Sequence, residues 1–389
     1  MKRLSFAVAL TVALLNSVSG MSPLESLTRQ DARSLGSGGA SLLFSTGYDS
    51  FFGNPAGFSG PGSLTLGDLS LWGYMPMNPG SINSMETLSS GYATVTEAEA
   101  IIDELLTDNS ELGFGGAVGL GWAGKGLGLG ANLVSEALLS GTKLDGSRVI
   151  VRNQVNAIVG FGLPIKLGLV EIAAGADVRA FYRLDSVAGG WADGRDLVLS
   201  GLGYYGPGQF ENYFASEVMS GGIGYAFDAG ATLTIGPLSA GFMARDLFGS
   251  VALGETTVYD IEHDSDFPTD GTDVVELEPT YTAGLALKFN QSGLVAPAFF
   301  AETDDIPGFL DAISTDIADT DGILATMKAG AELRLLRIFI LRGGLNKNLL
   351  SLGAGIDLYL IRGDIALSQE DIGGLTPRTG ISARVALKL

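Results

Sequence analysis

The C-terminal part of the chain alternates apolar and polar side chains over several stretches. From Ala325 to Arg334 every second residue is apolar, and the residues between are polar, charged or glycine. The pattern returns from Leu350 to Leu358 and, almost unbroken, from Gly380 to Lys388. Because side chains alternate between the two faces of a β-strand, each stretch predicts a strand with one apolar and one polar face. Such strands are typical of the wall of a β-barrel in a lipid bilayer.

The first twenty residues have the features of a secretory signal peptide. Lys2 and Arg3 precede an apolar run from Leu4 to Leu15, and small residues follow from Ser17 to Gly20. A membrane-spanning helix needs ~18 uninterrupted apolar residues, and neither this run nor any later one reaches that length. We therefore expect residues 1–20 to be a signal peptide and the mature chain to be exported.

The composition is unusual for an exported soluble protein. Mean hydropathy is +0.31, and 17% of the residues are charged. Glycine accounts for 57 of the 389 residues, roughly twice the usual ~7%, and it is dispersed through the predicted strands. On the inner face of a barrel, glycine leaves room for a plug or a channel.

Long and short connections alternate along the predicted strands. The strands are expected at residues 63–74, 112–122, 126–138, 148–162, 166–182, 221–235, 238–248, 280–289, 294–303, 325–335, 337–346, 349–358, 362–369 and 379–389. Long loops are expected at residues 75–111, 184–220, 249–279 and 304–324. Short turns are expected at Ala123 to Lys125, Leu163 to Ile165, Gly236 to Pro237, Asn290 to Gly293 and Tyr359 to Ile361. The sequence therefore predicts an all-β fold, a transmembrane antiparallel β-barrel of about fourteen strands over residues 63–389. A soluble exported β-sandwich is the alternative, since its strands also alternate.

Acidic residues are concentrated in three stretches that contain no Lys or Arg. Residues 97–111 contain six carboxylates, residues 255–278 nine, and residues 302–321 seven. We expect these stretches to be loops on the outer side of the cell outer membrane of a diderm bacterium, with short turns on the periplasmic side. The formal net charge of −20 argues against nucleic acid as a partner, whereas another protein could bind the acidic loops.

Basic residues in the strands are mostly in phase with the polar face. A charge that faces lipid near the bilayer midplane costs about 2 to 4 kcal/mol, so this face is expected to line the lumen. By the same reasoning, arginine should be better tolerated at Gly330 than at Ala331. The candidates for binding an anionic headgroup are Arg152, Arg179, Lys288, Arg334 and Arg384. Ion pairs that neutralise these bases inside the barrel, with acids such as Glu332, Asp357 and Asp364, are the alternative.

Two predicted loop features concern the mouth of the barrel. Aromatic residues Tyr204, Tyr205, Phe210 and Phe214 would suit an apolar groove where a lipid first binds, or else form an interfacial girdle or a self-packed loop. Residues from Thr96 to Leu106 have the periodicity of a short amphipathic helix.

The chain offers little for catalysis or metal binding. It has no cysteine and one histidine, His263, which lies in an acidic stretch. Neither a thiolate metal site nor a Cys/His nucleophile can be assembled, and no G-x-S-x-G motif frames a serine. The aspartates near His263 lack EF-hand spacing and are interpreted as a solvated loop, with Ca²⁺ binding as the alternative. We therefore expect no enzyme activity, no metal and no cofactor.

Residues 21–62 do not have the pattern of a wall strand. Ala32 to Ala40 read ARSLGSGGA, and Asn54 to Gly57 read NPAG. This pair of motifs resembles the start of FadL-type outer-membrane proteins, the long-chain fatty-acid transporter superfamily, which includes TraF-like and PorV-like relatives. The resemblance implies a fourteen-stranded barrel, a small N-terminal hatch in the lumen, and diffusion of an apolar ligand through a gap in the wall. It assigns the hatch to residues 21–62, with the motif Asn54, Pro55, Ala56 and Gly57.

The function expected from this resemblance is passive transport of hydrophobic compounds, such as long-chain fatty acids, across the outer membrane. The alternative is a structural barrel associated with secretion or conjugation, which binds other proteins through its acidic loops. An apolar pocket between the hatch and the wall would favour transport, and a fully packed lumen would favour a scaffold.

Overall fold

The computed structural model describes residues 26–76, 87, 94–106, 111–187, 190–191, 194–206, 209–269, 271, 273–290, 292–315, 320–347, 349–370 and 378–389. The predicted signal peptide lies outside the described residues, and so does the side chain of Phe210.

The described chain forms one antiparallel sheet of fifteen strands. The strands are β1 (Ser63–Pro76), β2 (Glu111–Gly124), β3 (Leu127–Ser140), β4 (Arg148–Leu167), β5 (Val170–Ser186), β6 (Val218–Ile235), β7 (Leu238–Thr257), β8 (Asp273–Glu276), β9 (Thr280–Lys288), β10 (Val295–Thr303), β11 (Lys328–Leu335), β12 (Phe339–Asn346), β13 (Leu349–Asp357), β14 (Ile361–Glu370) and β15 (Arg378–Lys388).

From β1 to β8 and from β9 to β15 each strand pairs with the next one in the sequence, and β1 pairs with β15, so the sheet closes on itself. Strand β9 pairs with residues 238–245 of β7, and β8 pairs with residues 250–253 of the same strand. Together β8 and β9 therefore occupy the position of a single strand in the wall. The result is a closed fourteen-stranded antiparallel barrel. This confirms the predicted fold class and excludes the β-sandwich.

Large apolar side chains cover the outside of the barrel. Leu352 is 66% exposed and Ile365 is 61% exposed, whereas Ser351 and Asp364, one position before each in the chain, are buried. A soluble protein rarely exposes apolar patches of this extent, so this is the surface of a barrel surrounded by lipid. Ala331 belongs to this outer face, because it pairs with Phe299, which is also exposed.

Every predicted strand overlaps an observed one, but three expectations about the connections are wrong. The predicted turn at Leu163 to Ile165 is strand, because β4 runs on to Leu167. Strand β3 pairs with β4 only as far as Phe161, so beyond that residue one edge of β4 has no neighbouring strand. Pro164 fits there because no hydrogen bond from its backbone nitrogen is needed on that edge. Residues 249–279 are partly wall, since β7 extends to Thr257 and β8 lies within them. Glu302, which the predicted strand 294–303 includes but the acidic stretch 302–321 assigned to a loop, is a buried residue of β10.

The helices lie in the N-terminal segment and in the long connections. They are α1 (Ala32–Gly36), α2 (Val95–Leu105), α3 (Gly194–Gly201), α4 (Gln209–Ala215), α5 (Val258–Asp264), α6 (Ile306–Thr315) and α7 (Thr320–Leu324), with 3-10 turns at Gly47–Phe51 and Pro55–Ser59. Helix α2 confirms the predicted amphipathic helix, and Thr94 and Glu97 form a capping box at its start. None of the helices in the described part of the chain is both long and apolar enough to cross a membrane.

Candidate functional site

The N-terminal segment, defined as residues 26–62, contacts inward-facing residues on all sides of the barrel. Its helix α1 packs against β12 to β15, and its 3-10 turn Pro55–Ser59 packs against β4, β5 and β6. Between them, Leu42 lies against β7 and β9, where Gly241 and Gly284 leave space for its side chain. The segment therefore fills the part of the lumen that these strands enclose.

Glycines on the inner face make this packing possible. A Cβ on Gly175 would overlap the carbonyl oxygen of Pro55, and a Cβ on Gly230 would overlap the side-chain oxygen of Asn54. A Cβ on Gly330 would likewise overlap the carbonyl oxygen of Ser37. The prediction that arginine is better tolerated at Gly330 than at Ala331 assumed open space at Gly330, and backbone of the N-terminal segment occupies that space.

The NPAG motif forms a tight, buried turn. The side chain of Asn54 accepts a hydrogen bond of 2.9 Å from the backbone N–H of Ala56, and Pro55 occupies the first position of the 3-10 turn. This is capping geometry, in which a short polar side chain satisfies a backbone donor that the turn leaves unpaired. Asn54 and Ala56 are both almost fully buried, and a Cβ on Gly57 would overlap Ser50.

Buried ion pairs attach the N-terminal segment to the wall. Arg384 of β15 lies 2.7 Å from Asp49 and 3.2 Å from Asp31, both in the segment, and 2.6 Å from Asp68 of β1. From the segment, Arg29 lies 2.6 Å from both Asp49 and Asp68. All five side chains are buried or nearly so. Burial alone would raise the pKa of the Asp49 carboxyl, but Arg384, Arg29 and two further guanidiniums hold it well below its usual value.

The ion pairs continue around the inner wall. Arg342 lies 2.9 Å from Glu332 and 2.7 Å from Asp364, and Arg362 lies 2.8 Å from Asp364. Arg33 of the N-terminal segment joins this group at 3.5 Å from Glu332. Sequence reasoning placed Glu332 and Asp364 in the lumen but missed Asp49, because nothing in its neighbourhood along the chain distinguishes it from a solvated turn residue.

A second group of charges lies on the inner face of β5, β6 and β7. Arg179 pairs with Asp246 and lies 3.8 Å from Asp228. Arg245 donates a hydrogen bond of 2.8 Å to the carbonyl oxygen of Phe52, which ties the N-terminal segment to this side as well. Asp177 is buried here, and its carboxylate accepts no hydrogen bond from the described residues.

The five bases predicted as ligand candidates all have partners in the lumen or lie opposite acids there. Arg179 and Arg384 are buried in ion pairs, and Lys288 donates to the carbonyl oxygen of Leu43. Arg334 is part-exposed and lies 3.5 Å from Glu332. Arg152 is half-buried and lies in register with Asp185 on one side and Glu136 on the other. For Arg179 and Arg384 the geometry thus corresponds to the internal ion pairs that the sequence left open as the alternative.

The wall is interrupted where β7 passes from β9 to β8. Pairing with β9 ends at Arg245 opposite Thr280, and pairing with β8 resumes at Ser250 opposite Glu276. Asp246 and Phe248, between these points, have positive φ values of 57° and 53°. Between β8 and β9, Pro279 has no N–H to donate, which prevents a continuous ladder. We call residues 246–248 the wall break.

An apolar patch on the inner face borders the wall break. It consists of Phe181, Ala226, Val251, Val275 and Leu277, all buried. Leu277 is attached to the end of the break, since its N–H donates to the carbonyl oxygen of Gly249 at 2.9 Å. On the outside, Phe248 is 77% exposed. Apolar side chains, buried on the inner face and exposed on the outer face, therefore lie at the place where strand pairing is interrupted.

The aromatic loop residues pack onto a core of their own. Tyr204, Tyr205 and Phe214 contact a buried cluster that includes Trp191, and the rings of Trp191 and Phe214 are 5.3 Å apart, edge to face. The hydroxyl of Tyr205 donates a hydrogen bond of 3.0 Å to Asp196. The described side chains of the predicted groove thus form a self-packed loop.

Among the described residues, no group of three or more His, Cys, Asp or Glu side chains is arranged so that it could hold a metal ion. The ring of His263 stacks on Tyr259 with centroids 4.0 Å apart.

Comparison with known proteins gives a likeness of fold. No protein-family model and no curated protein matches the chain. Among solved structures, the toluene transporter TodX from Pseudomonas putida is similar at 13% identity over 94% of this chain and 99% of TodX, with a TM-score of 0.46. The toluene transporter TbuX from Ralstonia pickettii is similar at 13% identity over 92% of this chain and 97% of TbuX, with a TM-score of 0.48. A FadL homologue from Pseudomonas aeruginosa gives 12% identity, 94% and 99% coverage and a TM-score of 0.46.

These structures include the FadL-type group that the N-terminal motifs resemble. At such identities and TM-scores the likeness concerns the barrel fold and carries no argument about substrate or mechanism.

Proposed function

We propose that the protein is a channel of the bacterial outer membrane through which hydrophobic compounds, such as long-chain fatty acids, diffuse passively. The observation that carries the proposal is the inner apolar patch beside the wall break. This cluster of five buried apolar side chains lies on the inner face next to the wall break, where a solute leaving through the wall would need apolar contacts.

The N-terminal segment acts as the hatch in this proposal. Ion pairs and hydrogen bonds to β1, β7 and β15 oppose its movement, because breaking a buried pair by removing one partner costs about 3 to 5 kcal/mol. A solute that enters from the side of the long loops would therefore leave sideways through the wall break, without displacing the hatch.

The sidedness follows from the connections and the predicted signal peptide. The long connections with their acidic residues would face the outside, and the short turns would face the periplasm. The partners are then outer-membrane lipid and a hydrophobic small molecule.

The experiment measures uptake of radiolabelled oleate in a deletion strain that carries wild-type or variant protein. Leu277→Asn places a polar group in the inner apolar patch, and we expect uptake to fall at least fivefold. Val134→Asn is the matched control, because Val134 is also a buried apolar residue of the inner face but belongs to a different cluster, with Trp72. The amount of folded barrel in the membrane is measured for each strain by its heat-modifiable migration.

Unchanged uptake on deletion of the gene would refute transport of this solute. Equal effects of the two variants, at equal amounts of folded barrel, would refute the route through the wall break.

The ion-paired lumen supports a second candidate, a structural barrel that binds other proteins through its acidic loops. It would leave oleate uptake unchanged on deletion, and cross-linking in intact cells would join the long loops to a partner protein.

A further inference from the structure

A cavity of about 330 Å³ lies between the N-terminal segment and the inner wall. It is at the end of the barrel where β1 begins and β15 ends, which is the end of the short turns. Lys388 and Asp357 at its rim are each more than a quarter exposed, so water reaches it. This end is remote from the acidic loops.

The described lining of the cavity is strongly basic. Five bases line it: Arg33, Arg334, Arg362, Arg384 and Lys388. Two acids do so, Asp49 and Asp357. The other carboxylates that pair with these bases, Asp31, Asp68, Glu332 and Asp364, are not among the lining residues. The cavity therefore has bases at its surface and much of the balancing negative charge behind them.

Two of the guanidiniums have donors left over. Arg33, through its Nε, and Arg334, through an Nη, share the carboxylate of Glu332, each at 3.5 Å, which is longer than a normal charge-assisted hydrogen bond. The Nη1 of Arg33 also donates a hydrogen bond of 3.1 Å to the carbonyl oxygen of Phe44 and lies 3.5 Å from Asp49. The Nε of each makes no hydrogen bond to the described residues, although the residue Arg33 is 93% buried, being 7% exposed. A guanidinium has five N–H donors, and leaving one buried without an acceptor is costly. An anion in the cavity would add a hydrogen-bond acceptor for the guanidiniums of Arg33 and Arg334.

The size and the remaining lining restrict the ligand. At about 330 Å³ the cavity has room for an anionic group with a few carbons. Ile340 and Ala386 provide an apolar part of the lining. A whole long-chain lipid is too large for it.

We propose that this cavity is a binding site for a carboxylate or phosphate group, held by Arg33 and Arg334. The group comes either from an amphiphile whose head enters the cavity or from a free anion in the periplasm. The site is independent of the wall break and of the transport proposal, since it requires no passage through the barrel.

The test uses the purified full-length protein in an uncharged detergent, with binding measured by isothermal titration calorimetry. The probes are octanoate, octyl phosphate, inorganic phosphate and 1-octanol. We expect at least one anion to bind at one site per chain and at least tenfold more tightly than octanol. Tight binding of octanoate or octyl phosphate identifies an amphiphile head, and binding of inorganic phosphate alone identifies a free anion.

Two variants locate the site. Arg334→Met should weaken anion binding at least tenfold, and Lys388→Met, which removes a second base from the rim, is used if the first does not fold. Lys166→Met is the control, because Lys166 is an exposed lysine of β4 that does not line the cavity. The proposal would be overturned if no anion binds, or if the folded variant that is used binds anions as tightly as the wild type does. Both outcomes are independent of the oleate uptake result, which is measured in cells.

Discussion

Replacing Arg384 by methionine should destabilise the folded barrel more than almost any other single charge change. The side chain of Arg384 is 3% exposed, and its guanidinium contacts Asp31, Asp49 and Asp68. Methionine has a similar length and carries no charge. In the variant, Arg29 is left as the close partner of Asp49 and Asp68, while Asp31 loses its partner among the described ion pairs.

Two routes give the size of the effect. Removing one partner of a buried ion pair costs about 3 to 5 kcal/mol, because the other charge stays buried without compensation. The loss of stability cannot greatly exceed the free energy of protonating the carboxylate that has lost its partner. For an acid of pKa ≈3.9 at pH 7, about three pKa units below the pH, this free energy is roughly 4 kcal/mol. The two values agree, so we expect the free energy of unfolding to fall by about 4 kcal/mol.

The assay is urea unfolding in detergent micelles at pH 7, followed by tryptophan fluorescence. Lys166→Met serves as the control, since the Lys166 to Glu171 pair is 3.7 Å long with side chains 71% and 47% exposed, and such pairs contribute about 0 to 1 kcal/mol. Adding Asp31→Asn to Arg384→Met should recover part of the loss, because it removes the carboxylate that has lost its partner. A change below about 1 kcal/mol for Arg384→Met would show that the buried pairs do not stabilise the fold.

Two further predictions concern the N-terminal segment. Because the pKa of Asp49 is lowered in the folded state, its contribution to stability is complete above the unfolded pKa of ≈3.9 and is lost as the pH falls through the folded value. The free energy of unfolding should therefore fall below about pH 4, and Asp49→Asn should flatten this part of the pH profile; an unchanged slope would contradict the assignment. Gly175→Ala should destabilise by about 1 to 3 kcal/mol in the same unfolding assay, because its Cβ would overlap the Pro55 carbonyl, whereas Gly67→Ala, with nothing within 4 Å, should have little effect. Equal effects would mean that the segment shifts away without cost.

The positions of the strands could be read from the sequence because their determinants are local. Alternation with a period of two decides which face of a strand meets lipid, and the exposed Leu352 next to the buried Ser351 follows that rule. The rule failed at Pro164, where a residue typical of turns is tolerated by an edge that the neighbouring strand leaves unpaired. At Glu302 the strand prediction was right and the charge pattern misleading, since this carboxylate accepts hydrogen bonds from the backbone of Ser41 and Leu43.

The candidate sites were less predictable because they combine residues that are distant in the chain. The wall break depends on where two short strands divide their pairing with β7, and no residue within β7 alone specifies this. The basic cavity depends on which carboxylates lie at its surface and which lie behind it.

The sequence by itself determined the class of the fold, the inner and outer faces of the wall and the location of the N-terminal motif. These follow from periodicity and composition, which act residue by residue. The tertiary structure alone decided what the lumen contains. Arg384 could have bound a ligand or an acid, and only the closed barrel, which brings Asp31, Asp49 and Asp68 within 3.2 Å of it, selects the acids. Electrostatic attraction depends on distance through space, and in a closed barrel residues more than three hundred positions apart become neighbours.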